Sequence, residues 1–301
     1  MSSPRDYLVS LDSTRAYRFA IVLMVVSSVG FSLNGLIIRS LEATTPWQIL
    51  FWRGIGVFVG QLTILIWIHR SRLPGEFFGI GRWGIVAGLL NGCSPAGFFF
   101  ALTHTTVANV MFLLSAMPFV SALAARLVLG ERLHRYTLIA IPVAFTGILI
   151  MVGGSILVGA WLGNLLALVT VLCFSCYVVI LRYSQGRNMQ PTPVLGAVVA
   201  AVLGTLVTGG DLMIPVHDLV LCFILGCVIT GLGHQMFLKA AEILPAGEVT
   251  FLMLLEFVLS PLWVWAFIGE TPRATTLIGG GVVLATVTGW AFARMRESKH
   301  Q

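Results

Sequence analysis

Long apolar runs dominate this chain, each about the length that crosses a lipid bilayer and each separated from the next by a few polar residues. A span needs about 20 predominantly apolar residues. Read between turn and charge signals, the runs predict ten helical segments, at 18–38, 47–68, 83–102, 106–129, 136–153, 161–182, 192–209, 218–238, 247–268 and 275–293. The runs are continuous rather than alternating, which argues against strands. Connections such as Leu102–Thr106, Gly130–Arg135 and Ile268–Thr275 leave room only for tight turns. The expectation is an all-α integral membrane protein with no sizeable extramembrane domain.

Composition supports a lipid-facing surface. Hydrophobic residues make up 57% of the chain and charged residues 10%. A soluble domain carries roughly 45–50% and about 25%. The cysteines (Cys93, Cys173, Cys176, Cys222 and Cys227) all lie inside apolar runs, so they read as small packing residues and not as a disulfide framework. Residues 1–18 are polar, and the run from Phe19 to Ile38 is too long for a signal-peptide core; it reads as a first span.

The basic residues orient the chain. With the N-terminus in the cytoplasm, 14 Lys and Arg fall in inside stretches, and only Arg39 and Arg273 fall outside. Arg53 and Arg126 lie within spans. This positive-inside bias places both termini in the cytoplasm and suits a bacterial-type inner membrane. The net charge of +6 then reflects topology and contact with anionic lipid, not nucleic acid.

The chain also repeats. A shift of 139 places Gly92 on Gly231, Phe98 on Phe237, Val110 on Val249, Ser121 on Ser260 and Gly130–Glu131 on Gly269–Glu270. Near the start of each half, Phe31–Ser32 with Arg39 matches Phe174–Ser175 with Arg182. Five spans per half is an odd number, so the second copy runs through the membrane upside down. Two inverted five-helix repeats are the construction of many secondary transporters. The expected units are a tail at 1–17, a first repeat at 18–153, a second at 161–294, and a tail at 295–301.

The twin blocks Pro118–Glu131 (PFVSALAARLVLGE) and Glu256–Glu270 (EFVLSPLWVWAFIGE) each end a span in Gly-Glu. With Arg53 and the stretch Ala101–Val110, they make the chain resemble the drug/metabolite transporter superfamily, within it the EamA-like ten-span transporters. The resemblance covers residues 18–294. It implies a central cavity lined by spans 1–4 and 6–9, with spans 5 and 10 at the periphery. One departure is that Phe257, not proline, follows Glu256, and the proline is Pro261. No G-x-x-x-x-G-K-[ST] occurs, so no nucleotide or other cofactor is expected and a gradient must drive transport.

A charge at mid-membrane costs about 2.5–3.5 kcal/mol on insertion scales and needs a partner or a task. Glu256 is either a carboxylate for proton coupling or a substrate amine, or the structural partner of a cation. Arg53 is either the ligand of a substrate carboxylate or the partner of Glu256. His234 and Gln235 follow Gly231 and Gly233, glycines that allow close helix approach or an open backbone. Asn34, Asn91, Asn109 and Tyr177 are uncharged groups on spans 1, 3, 4 and 6, and as a set they are candidates for lining a cavity. Trp263 is a candidate for stacking on a flat substrate. Arg126, one turn from a span end, reads as snorkelling. Trp47, Trp83, Trp161 and Trp290 read as interfacial belts. Gly279–Gly281 with Ala285 and Gly289 forms a small-residue face suited to helix packing or a homodimer contact.

The reading that follows is a secondary transporter, not an enzyme, for a small polar metabolite. A zwitterion such as an amino acid satisfies both Arg53 and Glu256, and an organic anion satisfies the arginine. Drug, vitamin or nucleobase transport stands as the alternative within that class. A membrane enzyme would need clustered His, Asp or Glu at one face, whereas His104, His134, His217 and Asp211 are scattered. A receptor or scaffold would carry a soluble domain or long tail.

Overall fold

A computed structural model describes residues 4–42, 44–69, 73–105, 107–131, 133–152, 161–184, 187–269, 271 and 274–297. Among them there is no strand. The helices are α1 Pro4–Arg39, α2 Pro46–His69, α3 Leu73–Gly79, α4 Gly81–His104, α5 Val107–Leu114, α6 Met117–Leu129 and α7 Arg135–Val152. The second half has α8 Trp161–Tyr183, α9 Thr192–Thr208, α10 Val216–Phe223, a π-helical stretch Ile224–Thr230, α11 Gly231–Ile243, α12 Ala246–Leu252, α13 Leu254–Ile268 and α14 Ala274–Glu297.

Among the described residues, eight helical segments are long and apolar enough to cross a membrane, the first being Arg15–Arg39 and the last Ala274–Arg296. Two further apolar helices, Arg135–Ile150 and Thr192–Thr208, are shorter. The chain is therefore a multi-pass membrane protein. Three of the long segments are composite. α5 and α6 form one and α12 and α13 another, each broken in the middle; α10, the π stretch and α11 form the third. The glycines of the two Gly-Glu pairs close α6 and α13 with left-handed backbones, Gly130 at φ 67° and Gly269 at φ 83°. A side chain is strained there, which explains why the residue is glycine at both ends.

Packing follows the internal repeat. α1 lies against α11 and α13, as α8 lies against α4 and α6. α2 packs on the π stretch, as α9 packs on α4. α2 also meets α9, α6 meets α12, and α7 pairs with α14. The close crossing of α2 with the π stretch needs glycine: a Cβ on Gly226 would lie 2.3 Å from the Arg53 carbonyl oxygen.

The start of the first apolar segment and the end of the last lie at one end of the bundle, since the Arg294 guanidinium sits over the Tyr17 ring at 4.9 Å. At the opposite end, Gln48 and Trp52 of α2 donate to main-chain oxygens of residues 211–213. Asp218 there accepts from the Glu42 amide at 3.1 Å and from the Thr44 hydroxyl.

Some expectations need correction. The helix α1 begins at Pro4, inside the stretch read as a polar tail, because polarity ends a span without ending a helix. α14 likewise continues to Glu297. Trp290 is buried, with its indole N–H donating to the Thr137 hydroxyl at 3.0 Å, so it does not belong to an interfacial belt. The small-residue face of α14 is partly used inside the protein: a Cβ on Gly147 of α7 would lie 2.9 Å from the Gly279 oxygen.

Candidate functional site

The ninth apolar segment breaks at Met253, and the break places Glu256 in the first turn of α13. The backbone tightens there, with the Glu256 amide donating to the Met253 oxygen at 3.0 Å. Pro261 stays inside α13 and does not mark the break. A carboxylate in the first turn of a half-helix is favoured by the unpaired amides and positive dipole end of that helix. Glu256 keeps part of its surface open although it lies mid-segment.

Asn34 of α1 reaches Glu256 from the side, its Nδ2 donating to Oε1 at 3.4 Å. The Asn34 Oδ1 is buried and has no hydrogen-bond partner. An unpaired buried acceptor costs about 1–3 kcal/mol, so a site holding one awaits a donor. Arg53 of α2 acts electrostatically on Glu256 and on His234. No ion pair or hydrogen bond joins Arg53 to another described residue, and its side chain is part-exposed. Arg53 and Glu256 thus form no ion pair with each other.

His234 of α11 is buried, and its Nε2 shares a 2.9 Å hydrogen bond with the Tyr177 hydroxyl of α8. Phe31 meets His234 edge-on, Phe174 tilts against Tyr177, and Phe237 stacks on Tyr177 and tilts against His234. The rings fix the orientation of the pair and keep it out of bulk water. Gln235 donates through Nε2 to Gln61 Oε1, and Gln61 Nε2 donates to the Gly231 oxygen at 2.9 Å. Gly231 directly follows the π stretch, a local geometry that recurs at functional sites. The Trp263 indole donates to Ser32 Oγ at 2.8 Å, tying α13 to α1.

The structure therefore joins Asn34 to Glu256 and Tyr177 to His234, and gives the Arg53 side chain no partner among the described residues. Gln235 and Trp263 are held by neighbours of their own. Asn91 lies at the α4–α9 contact, where a Cβ on Gly196 would meet its Nδ2 at 2.5 Å, and it joins none of these hydrogen bonds. The Asn109 side chain lies outside the described residues. Arg126 is exposed near the end of α6, as snorkelling requires. The sequence reading passed over Gln61 and Ser32, polar residues in mid-run whose partners lie far along the chain. It also passed over Glu248, which lies at a span end where a charge looks cheap but is fully buried in the structure.

Among the described residues, no three His, Cys, Asp or Glu side chains gather as metal ligands. The arrangement offers instead two opposite charges, an unpaired acceptor and a buried His–Tyr pair, which suits holding a small charged solute.

Comparisons with known proteins bear on the family and the fold. The model of the EamA-like transporter family matches twice, over residues 18–153 and 161–291. The pseudopaline exporter CntI of Pseudomonas aeruginosa (strain UCBPP-PA14) is 25% identical over 284 residues, covering 92% of this chain and 96% of that protein. The uncharacterized protein PA1977 of Pseudomonas aeruginosa is 25% identical over 279 residues, covering 89% and 94%. A solved crystal structure superposes with a TM-score of 0.70 at 17% identity over 89% of this chain and 96% of that one, a likeness of fold alone.

Proposed function

This chain belongs to the EamA-like transporter family, and from that premise we propose that it is a secondary active transporter moving a small polar metabolite across the inner membrane by alternating access. The substrate is a zwitterion of the amino-acid kind or an organic anion. The observation that carries this reading is Glu256 in mid-segment beside Asn34, whose Oδ1 is buried and unpaired, together with an intramembrane Arg53 whose side chain has no ion pair among the described residues. The substrate's carboxylate takes the Arg53 guanidinium as a charge-assisted partner. Its ammonium takes Glu256 and the unpaired Asn34 Oδ1.

Ten spans arranged as two inverted five-helix repeats fit this role. The double match of one family model supports the duplication, and the exchangeable packing of the halves supports their relation. The inversion follows from the odd number of segments in each half, and the excess of Lys and Arg on the side of the termini supports a cytoplasmic position for both. α7 and α14 pair with each other at the periphery, and the outer face of α14 is the surface for a homodimer if one forms. Membrane lipid covers the remaining apolar surface, and nucleic acid has no place in this reading.

Export is the direction the relative CntI supports. Glu256 is the proposed site of proton coupling. In proteoliposomes Glu256→Gln is expected to abolish pH-driven accumulation, and retained pH-driven accumulation removes that role. The identity of the solute is tested by comparing metabolites released from expressing and non-expressing cells. A zwitterion or organic anion released only by expressing cells supports the reading; equal release profiles contradict export.

A further inference from the structure

We propose that the structure is a state closed at the end carrying the chain termini and open at the opposite end, and that two ion pairs, Glu131–Arg182 and Glu248–Arg294, hold the closed end shut. The inference rests on the alternating-access reading and names the lock that such a cycle must release.

The two ends of the bundle are packed very differently. Every residue of α12, at the termini end, is buried: Ala246, Gly247, Glu248, Val249, Thr250, Phe251 and Leu252. In α13, which continues the same segment toward the other end, only Leu254, Leu255 and Val258 are buried, and none of residues 259–268 is. Residues 259–264 are half-buried, packed against α1 through contacts such as that of Trp263 with Ser32. α12 crosses α6 so closely that a Cβ on Gly247 would lie 3.0 Å from that of Ala122. Among the described residues, α5 and α13 have no comparable packing at the opposite end: α5 leans on α8, α7 and α4, and α13 on α1 and α14.

Polar contacts at the closed end join both sides of this crossing. The Ser121 and Thr250 hydroxyls are 2.6 Å apart across it. Arg182 of α8 donates through Nε to Glu131 Oε1 and through Nη1 to the Glu242 oxygen, both at 2.6 Å. The other oxygen of Glu131 accepts from the Ala246 amide at 3.3 Å. This pair therefore staples the turn between α11 and α12 onto α6 and α8, and gives the glutamate of the first Gly-Glu motif a task. The second pair lies deeper. Glu248, with no exposed surface, meets Arg294 Nη2 at 3.2 Å. It also accepts from the Tyr17 hydroxyl at 2.5 Å and from the Thr137 hydroxyl at 3.1 Å. One carboxylate thus holds α12 to α1, α7 and α14. Opening this end means separating both pairs, and the buried one leaves an unpaired charge behind unless water follows it in.

The test needs no solute. In a background with the five native cysteines replaced, Ser121→Cys and Thr250→Cys place two thiols where the hydroxyls touch, and copper phenanthroline is the oxidant. Rapid disulfide formation is expected when both ion pairs are intact. With Glu131→Gln and Glu248→Gln the crosslinking rate is expected to fall about tenfold, the change that a 1.4 kcal/mol shift toward the open end gives. The exchange Glu131→Arg with Arg182→Glu is expected to recover most of the rate lost by Glu131→Gln alone. If the double variant does not fold, as judged by gel filtration, the comparison of Glu131→Gln with the exchanged pair decides. Slow crosslinking in the parent, or an unchanged rate in the folded variants, overturns the proposal. Failure of the transport reading shows itself separately, as the absence of any released solute while crosslinking behaves as described.

Discussion

The two broken segments, α5–α6 and α12–α13, have the same form and different chemistry. Both interrupt at equivalent places, one before Met117 and one at Met253, and both end in Gly-Glu after a left-handed glycine. At the shift of 139 residues, Met117 stands where the second half has Glu256, and Asn109 where it has Glu248. The first half repeats the architecture, and the second adds a carboxylate facing the interior and another in a buried network. Duplication supplies a backbone that breaks and packs alike in both halves. At these two positions only the second copy is charged, so Glu256 of the candidate site and Glu248 of the lock come from the second half, while Arg53 and Glu131 come from the first.

This asymmetry is open to direct attack. The largest expected effect is from Glu248→Ala, which leaves Arg294 without its carboxylate and Tyr17 and Thr137 without their acceptor. Breaking a buried pair from one side costs about 3–5 kcal/mol, so thermal unfolding of the purified protein should show a large drop in Tm. A change within the error of the scan refutes the structural weight given to this network. Next comes Met117→Glu, which copies the Glu256 carboxylate into the first half without an Asn34 or Arg53 to receive it. Its expected cost is about 2.5–3.5 kcal/mol, read as lower Tm or lost expression. A fully stable variant would mean that the first break also opens onto water and that the halves are less different than described. Smallest is Tyr177→Phe, which removes the hydrogen bond to His234 and keeps the ring packing. About 1 kcal/mol is expected, again as a Tm shift, and no shift would show the His–Tyr pair to be incidental.

The fold was largely legible because lipid imposes a simple rule on sequence. A run of apolar residues with polar ends predicts a helix, and among the described residues eight of the predicted segments coincide with helices long enough to cross a membrane, while those at 136–153 and 192–209 coincide with shorter apolar helices. Arg53 and Glu256 were legible for the same reason, since a charge inside such a run is conspicuous. What the run does not reveal is its interruption. The break at Met253 has no proline or glycine at the position itself, and Pro261, the obvious candidate, sits within an unbroken helix. Gln61 was equally silent, because its partners Gln235 and the Gly231 oxygen lie more than half the chain away in number and adjacent in space. Glu248 misled in the other direction. It stands near a predicted span end and drew no reading from the sequence, and only the converging ends of α1, α7 and α14 bury it.

The central claim is that Arg53 and Glu256 bind one solute between them. The most direct measurement is thermal stabilisation of the purified protein by a panel of metabolites, run in parallel on the parent, Arg53→Ala and Glu256→Gln. A solute at 100 times its Kd adds about 2.7 kcal/mol to the folded state. The account predicts that a zwitterion or organic anion raises the parent's Tm and that the Arg53 variant loses the response. For a zwitterion the Glu256 variant loses it too. A solute that stabilises all three proteins equally would contradict the account, because it would bind somewhere that neither charge reaches.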